Sequence, residues 1–111
     1  MTIYKILPRP MWTQAIATGV FNGSPLDLSD GYIHFSTAAQ LQETASKHFA
    51  GVPDLLLVAV SATLLGESLK WEASRGGALF PHLYGALPVG LAEWVKPMPL
   101  DANGIPVVPS L

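Results

Sequence analysis

The chain has 111 residues, half of them hydrophobic and 13% charged, which fits one packed domain and excludes disorder over most of its course. Six Lys and Arg against eight Asp and Glu leave a formal charge of −2, so there is no basic footprint for nucleic acid and no DNA partner is expected. Cysteine is absent, which excludes disulfides, thiolate chemistry and any Cys-based zinc site.

The opening stretch has no sustained apolar segment and no small-residue cleavage signal, so no signal peptide is expected. Residues 55–66 are too short to span a bilayer, and residues 76–92 are interrupted by four glycines, two prolines and a histidine. No membrane partner and a cytoplasmic location are the expectation.

Taken in chain order, Ile3-Tyr4-Lys5-Ile6-Leu7 reads as a short strand stopped by Pro8. Residues 10–17 follow as a helix with proline at its start and Gly19 at its end. Met11, Ala15 and Thr18 share one face of it, and Trp12 and Ile16 a neighbouring one. Residues 22–31 are turn-rich and lead into a strand over 32–36. The spacing then predicts a helix over 37–49. Thr37 and Gln40 form a capping-box pattern, and Leu41, Ala45, His48 and Phe49 make one core-facing stripe, which places His48 inside.

Residues 55–60 are apolar at every position, as a central strand covered on both faces requires. A turn at Leu64-Leu65-Gly66, a strand over 69–72, a glycine-rich loop over 74–77 and an extended segment over 80–85 come next. The last strand runs over 90–98, around Trp94 and Val95. Four of the ten prolines lie after Lys96, so 99–111 is an extended tail with a tight turn at Asn103-Gly104. The pattern predicts a single α+β domain with its core over 3–98, built from a mixed or antiparallel sheet and two main helices. Trp12 and Trp94 belong to that core.

Strand alternation sends Tyr32, His34 and Ser36 one way and Ile33 and Phe35 the other. The apolar pair belongs inside, so His34 and Ser36 look outward or into a cleft. The N-terminus of the following helix, with free N–H groups, suits an anionic or carbonyl ligand there. For Ser36 the plainer role is to cap that helix. Glu72 leaves its strand opposite Trp71 and precedes Arg75. A carboxylate near an aromatic and an arginine accepts ligand hydroxyls or moves a proton. A structural Glu72–Arg75 ion pair weighs equally. Farther on, His82 and Tyr84 share one face of an extended segment, a set that with Glu72 suits a ribose or a flat ring. A core Tyr84, and a His82 ordering the turn after Pro81, are the structural alternatives. Three such clusters in a chain with three histidines point to one shared site. The histidines lack metal-ligand pairings such as H-E-x-x-H, so no metal is expected. A G-x-S-x-G elbow and a Walker loop are both absent.

The run Asp30-Gly31-Tyr32-Ile33-His34-Phe35-Ser36-Thr37, then Gln40, Thr44-Ala45 and Phe49-Ala50-Gly51, then Leu69-Lys70-Trp71-Glu72 and Phe80-Pro81-His82-Leu83-Tyr84-Gly85, resembles one small bacterial family. It is the domain-of-unknown-function family nine-five-two, and the resemblance covers residues 3–95. That family is similar in fold to the ADP-ribosyltransferase superfamily. There a first-strand His or Arg holds ribose, a second-strand Tyr or His packs on nicotinamide, and a late acid stabilises the sugar cation. His34 matches the second of these positions. The first falls at Tyr4-Lys5-Ile6, where no His-Gly-Thr signature stands, and Glu72 qualifies as the acid by chemistry rather than by position. The resemblance therefore implies an ADP-ribosyltransferase-like fold with a small-molecule partner, NAD or a related nucleotide. His34 and Glu72 would be catalytic, and Ser36, Trp71, Arg75, His82 and Tyr84 would bind the ligand. The alternative is a non-catalytic small-ligand or protein-interaction module on the same fold.

Overall fold

The computed structural model describes all 111 residues, the side chain of Arg75 excepted. Its elements are β1 (Thr2–Pro8), α1 (Arg9–Thr18), β2 (Val20–Phe21), α2 (Pro25–Asp30), β3 (Ile33–His34), α3 (Leu41–His48), β4 (Leu55–Ser61), β5 (Leu69–Ala73), β6 (Leu79–Leu83), β7 (Leu87–Pro88) and β8 (Ala92–Met98). Short 3₁₀ turns lie at Ala38–Gln40, Ala62–Ser68, Arg75–Gly77 and Val89–Leu91. This is an α+β fold in which every strand pair is antiparallel.

β4 explains the run of apolar residues that forms it. It lies between β1 and β8 in one three-stranded sheet and is buried from Leu55 to Val60. Leu56, Val58 and Val60 pack on one face with Ile3, Leu7, Trp12, Ile33 and Phe35. Leu55, Leu57 and Ala59 pack on the other with Tyr4, Ile6, Leu41, Ala45 and Met98. A strand covered on both sides has no polar face to show. The second three-stranded sheet has β6 between β3 and β5, and β2 and β7 pair as a small ribbon. One bridge joins the two larger sheets: the Tyr4 and Ser36 N–H groups each donate to the other's carbonyl at 2.9 Å.

Several elements differ from the sequence expectation. The turn-rich segment contains α2, closed at its start by a capping box in which Asp27 N–H donates to Ser24 Oγ at 3.3 Å and Ser24 N–H donates to Asp27 Oδ2 at 2.9 Å. This helix buries Asp27 and exposes Leu26 and Leu28 at 58% and 66%, the reverse of the pattern that marks an amphipathic helix. Of the expected strand over 32–36 only Ile33–His34 enters a ladder.

The helix expected over 37–49 opens as a 3₁₀ turn, with Thr37 N–H donating to Gln40 Oε1 at 3.0 Å, and α3 proper begins at Leu41. His48 is exposed rather than in the core, because α3 ends there and Phe49 leaves helical geometry; Leu41 and Ala45 carry the buried stripe. Ile16 is likewise 58% exposed, while Trp12 is buried as expected. Trp94 is half-buried against Tyr4, with the Lys96 ammonium 4.3 Å from its ring centre. The proline-rich tail folds back: Val107 N–H donates to Pro99 O at 2.8 Å and Gly51 N–H donates to Gly104 O at 2.7 Å.

Candidate functional site

The register of the second sheet assembles the site. His34 lies opposite His82, Lys70 also lies opposite His82, and Glu72 lies opposite Phe80. Residues opposed across an antiparallel pair share a face. The alternation of β6 therefore separates His82 from Leu83 and Pro81. On the polar face the Tyr32 ring centre stands 4.6 Å from that of His34, 4.1 Å from His82 and 5.2 Å from Tyr84. The two imidazoles are 5.5 Å apart, edge to face.

His34, Glu72, His82 and Tyr84 are thus brought together from three strand regions. Trp71 is not: it pairs with Pro81 on the opposite face, at the open edge of β5, and is 40% exposed. Ser36 is buried, its Oγ 3.1 Å from Thr44 Oγ1, so its hydroxyl meets α3 in mid-helix instead of capping it. The expected roles of the Arg75 side chain, including its pairing with Glu72, lie outside the described residues.

Tyr32, Lys5, Asp27 and Asp30 stand beside these residues in the structure without being among those that the sequence pattern marks. Tyr32 was visible in the alternation that it shares with His34. Lys5 carried a fainter signal, a cation between Ile3 and Leu7 on the inward face of β1, which demands a counter-charge. Its ammonium lies 2.9 Å from Asp27 Oδ2 and 3.0 Å from Oδ1, with Lys5 and Asp27 only 6% and 2% exposed. Asp27 Oδ1 also meets His34 Nδ1 at 2.6 Å and accepts from the His34 backbone N–H at 3.2 Å. On its far side His34 Nε2 lies 2.9 Å from Asp30 Oδ2. Burial pushes the Lys5 amine down, against the opposing pull of Asp27. Burial would raise the Asp27 carboxyl, but the His34 bond and the Lys5 charge outweigh it and hold the acid well below the usual carboxylate range.

A second relay runs through Glu72, whose Oε1 lies 2.8 Å from His82 Nδ1 and accepts from the Tyr84 hydroxyl at 2.8 Å. The bond to His82, then that to Tyr84, keeps the Glu72 carboxyl below its ordinary value. The same carboxylate pushes the Tyr84 hydroxyl up. Burial, followed by the charges of Asp30 and Glu72, raises that of Tyr32.

Between β1, α2, α3 and β6 lies a cavity of about 480 Å³, within the range of small-molecule sites. Tyr4, Phe35, Phe49 and Phe80 give it aromatic walls; Ser36, Thr44, His34, His48 and His82 give it polar atoms. Glu72, Tyr84 and Trp71 do not line it, so Glu72 acts on the cavity through His82. No cluster of three or more His, Cys, Asp or Glu side chains is arranged to hold a metal among the described residues, and no helix among them is long and apolar enough to cross a membrane.

No curated protein matches the chain. Among solved structures it is similar to protein CC0527 from Caulobacter crescentus, a Northeast Structural Genomics target. The X-ray structure of CC0527 is 54% identical, with a TM-score of 0.94 over 96% of this chain and 94% of that one. Its solution NMR structure is 55% identical, with a TM-score of 0.86 over 95% of this chain and 90% of that one. The sequence profile of a family described as "Protein of unknown function (DUF952)" matches residues 6–95, a span that takes in α2, β4, His34 with both of its carboxylates, and the Glu72–His82–Tyr84 group, and the chain belongs to that family.

Proposed function

We propose that the cavity binds a ribose-bearing small molecule of the NAD class, on a fold with the ADP-ribosyltransferase likeness expected from the sequence. The observation that carries this reading is the gathering of two imidazoles and a phenol, His34, His82 and Tyr32, in one cluster, with both imidazoles on the wall of a cavity of about 480 Å³. Aromatic walls suit a flat ring, and the hydroxyl and imidazole atoms suit sugar hydroxyls. A cytoplasmic location, where such nucleotides occur, belongs to the same proposal.

One observation favours binding without transfer. Breaking the glycosidic bond of NAD builds positive charge on the ribose, which a carboxylate must stabilise. The cavity carboxylates Asp27 and Asp30 are both engaged by His34, and Glu72 is engaged by His82 and Tyr84. Titration calorimetry with NAD, ADP-ribose and a 2′-phosphorylated nucleotide tests the reading. We expect saturable heat that weakens in His82→Ala, with nicotinamide release at background. Absence of both heat and thermal shift at millimolar ligand overturns it, and nicotinamide release that disappears in Glu72→Gln replaces it with a transferase.

A further inference from the structure

Of the three histidines that line the cavity, the two on the second sheet, His34 and His82, differ in their bonding. His34 has a carboxylate oxygen at each ring nitrogen, Asp27 at 2.6 Å on Nδ1 and Asp30 at 2.9 Å on Nε2. Each ring nitrogen is thus occupied by a carboxylate oxygen, and neither is left open to a ligand. His82 is engaged on one side alone. Its Nδ1 lies 2.8 Å from Glu72 Oε1, its side chain is 4% exposed, and its Nε2 has no hydrogen-bond partner among the described residues. Because Glu72 accepts, Nδ1 carries a proton, and in the neutral ring Nε2 carries the lone pair. A buried acceptor left open on a cavity wall is uncommon and calls for a donor. Tyr84 donates to the same Glu72 oxygen and so helps to hold the carboxylate in place.

We infer that His82, rather than His34, is the imidazole that meets the ligand, with Nε2 accepting a hydrogen bond from a sugar hydroxyl or ring N–H. Glu72 is then a positioning residue that fixes the tautomer, and His34 is a structural bridge between α2 and β3. This inference rests on the nucleotide-binding reading and adds to it the atom that the ligand must present: a donor, set beside the aromatic wall formed by Phe80. It also moves the ligand contact expected of His34 onto a residue of the neighbouring strand.

Long-range ¹H–¹⁵N NMR of the histidine rings tests it, on the wild type and on Glu72→Gln, with and without NAD. Glu72 is partly exposed, so that variant is expected to fold. In the free wild type His82 is expected as the single Nδ1–H tautomer, and in Glu72→Gln as a mixture, because an amide offers Nδ1 either a donor or an acceptor. NAD is expected to shift the His82 Nε2 resonance and leave both His34 nitrogens unmoved. An Nε2–H tautomer in the free wild type overturns the inference, as does calorimetric heat accompanied by a shift on His34 alone; the nucleotide reading survives both results. No heat and no histidine shift removes the nucleotide reading, and the ligand of His82 with it.

Discussion

Asp27 is the residue on which β1, α2 and β3 converge. One carboxylate holds the Lys5 ammonium, the His34 ring and the N-terminus of its own helix. Removing it by Asp27→Ala leaves a buried ammonium without a counter-ion, a loss expected to cost about 3–5 kcal/mol. Urea unfolding checks this, and Lys5→Met added to Asp27→Ala is expected to recover part of it, since the stranded charge is then gone. Asp27 also fixes the acid response. Its folded value lies below its ordinary 3.8, so its contribution is complete above about pH 4 and disappears as pH falls below that point. Wild-type stability should therefore drop more steeply below pH 4 than that of Asp27→Asn, and equal slopes would refute the assignment. Alternation alone made legible the faces on which His34, His82 and Tyr84 stand. The Lys5–Asp27 pair was not legible, because 22 residues separate its members and no local pattern records which charge answers which.

At the scale of elements, α2 is held by its cap and its carboxylate rather than by an apolar stripe. Gly23 shows how tightly: its φ is +122°, and a Cβ there would stand 2.9 Å from Asp27 Cβ. Gly23→Ala is expected to destabilise by about 1–3 kcal/mol through backbone strain and displacement of the capping box. Gly85→Ala, where a Cβ meets nothing within 4 Å and φ is ordinary, is expected to stay within about 0.5 kcal/mol. Equal urea midpoints for the two variants would contradict this account. Periodicity found α1 and β4 because each buries the centre of its pattern, Trp12 and Ala15 in α1 and Leu55 to Val60 in β4. It passed over α2 because a helix that hides an aspartate and shows two leucines carries no such pattern.

Across the whole molecule, the Cα radius of gyration of 13.1 Å matches the roughly 13 Å of a compact domain near 100 residues. β4 is hydrogen-bonded on both edges and covered on both faces, whereas β5 is an edge strand with Lys70 and Trp71 exposed. Amide exchange should accordingly be slowest through Leu55–Ser61 and much faster in Leu69–Ala73; similar rates in both would contradict the layering. The amino-acid order by itself determined the α+β class, the central strand, the inward turn of Ile33 and Phe35, and the faces on which His34, Glu72, His82 and Tyr84 stand. These follow from side-chain periodicity, a property of a few neighbouring residues. Only the tertiary structure decided that His34 spends both nitrogens on carboxylates while His82 keeps one open, and that Glu72 meets His82 and Tyr84. Those outcomes depend on which distant strands pair and in what register, and they are fixed when the chain closes on itself.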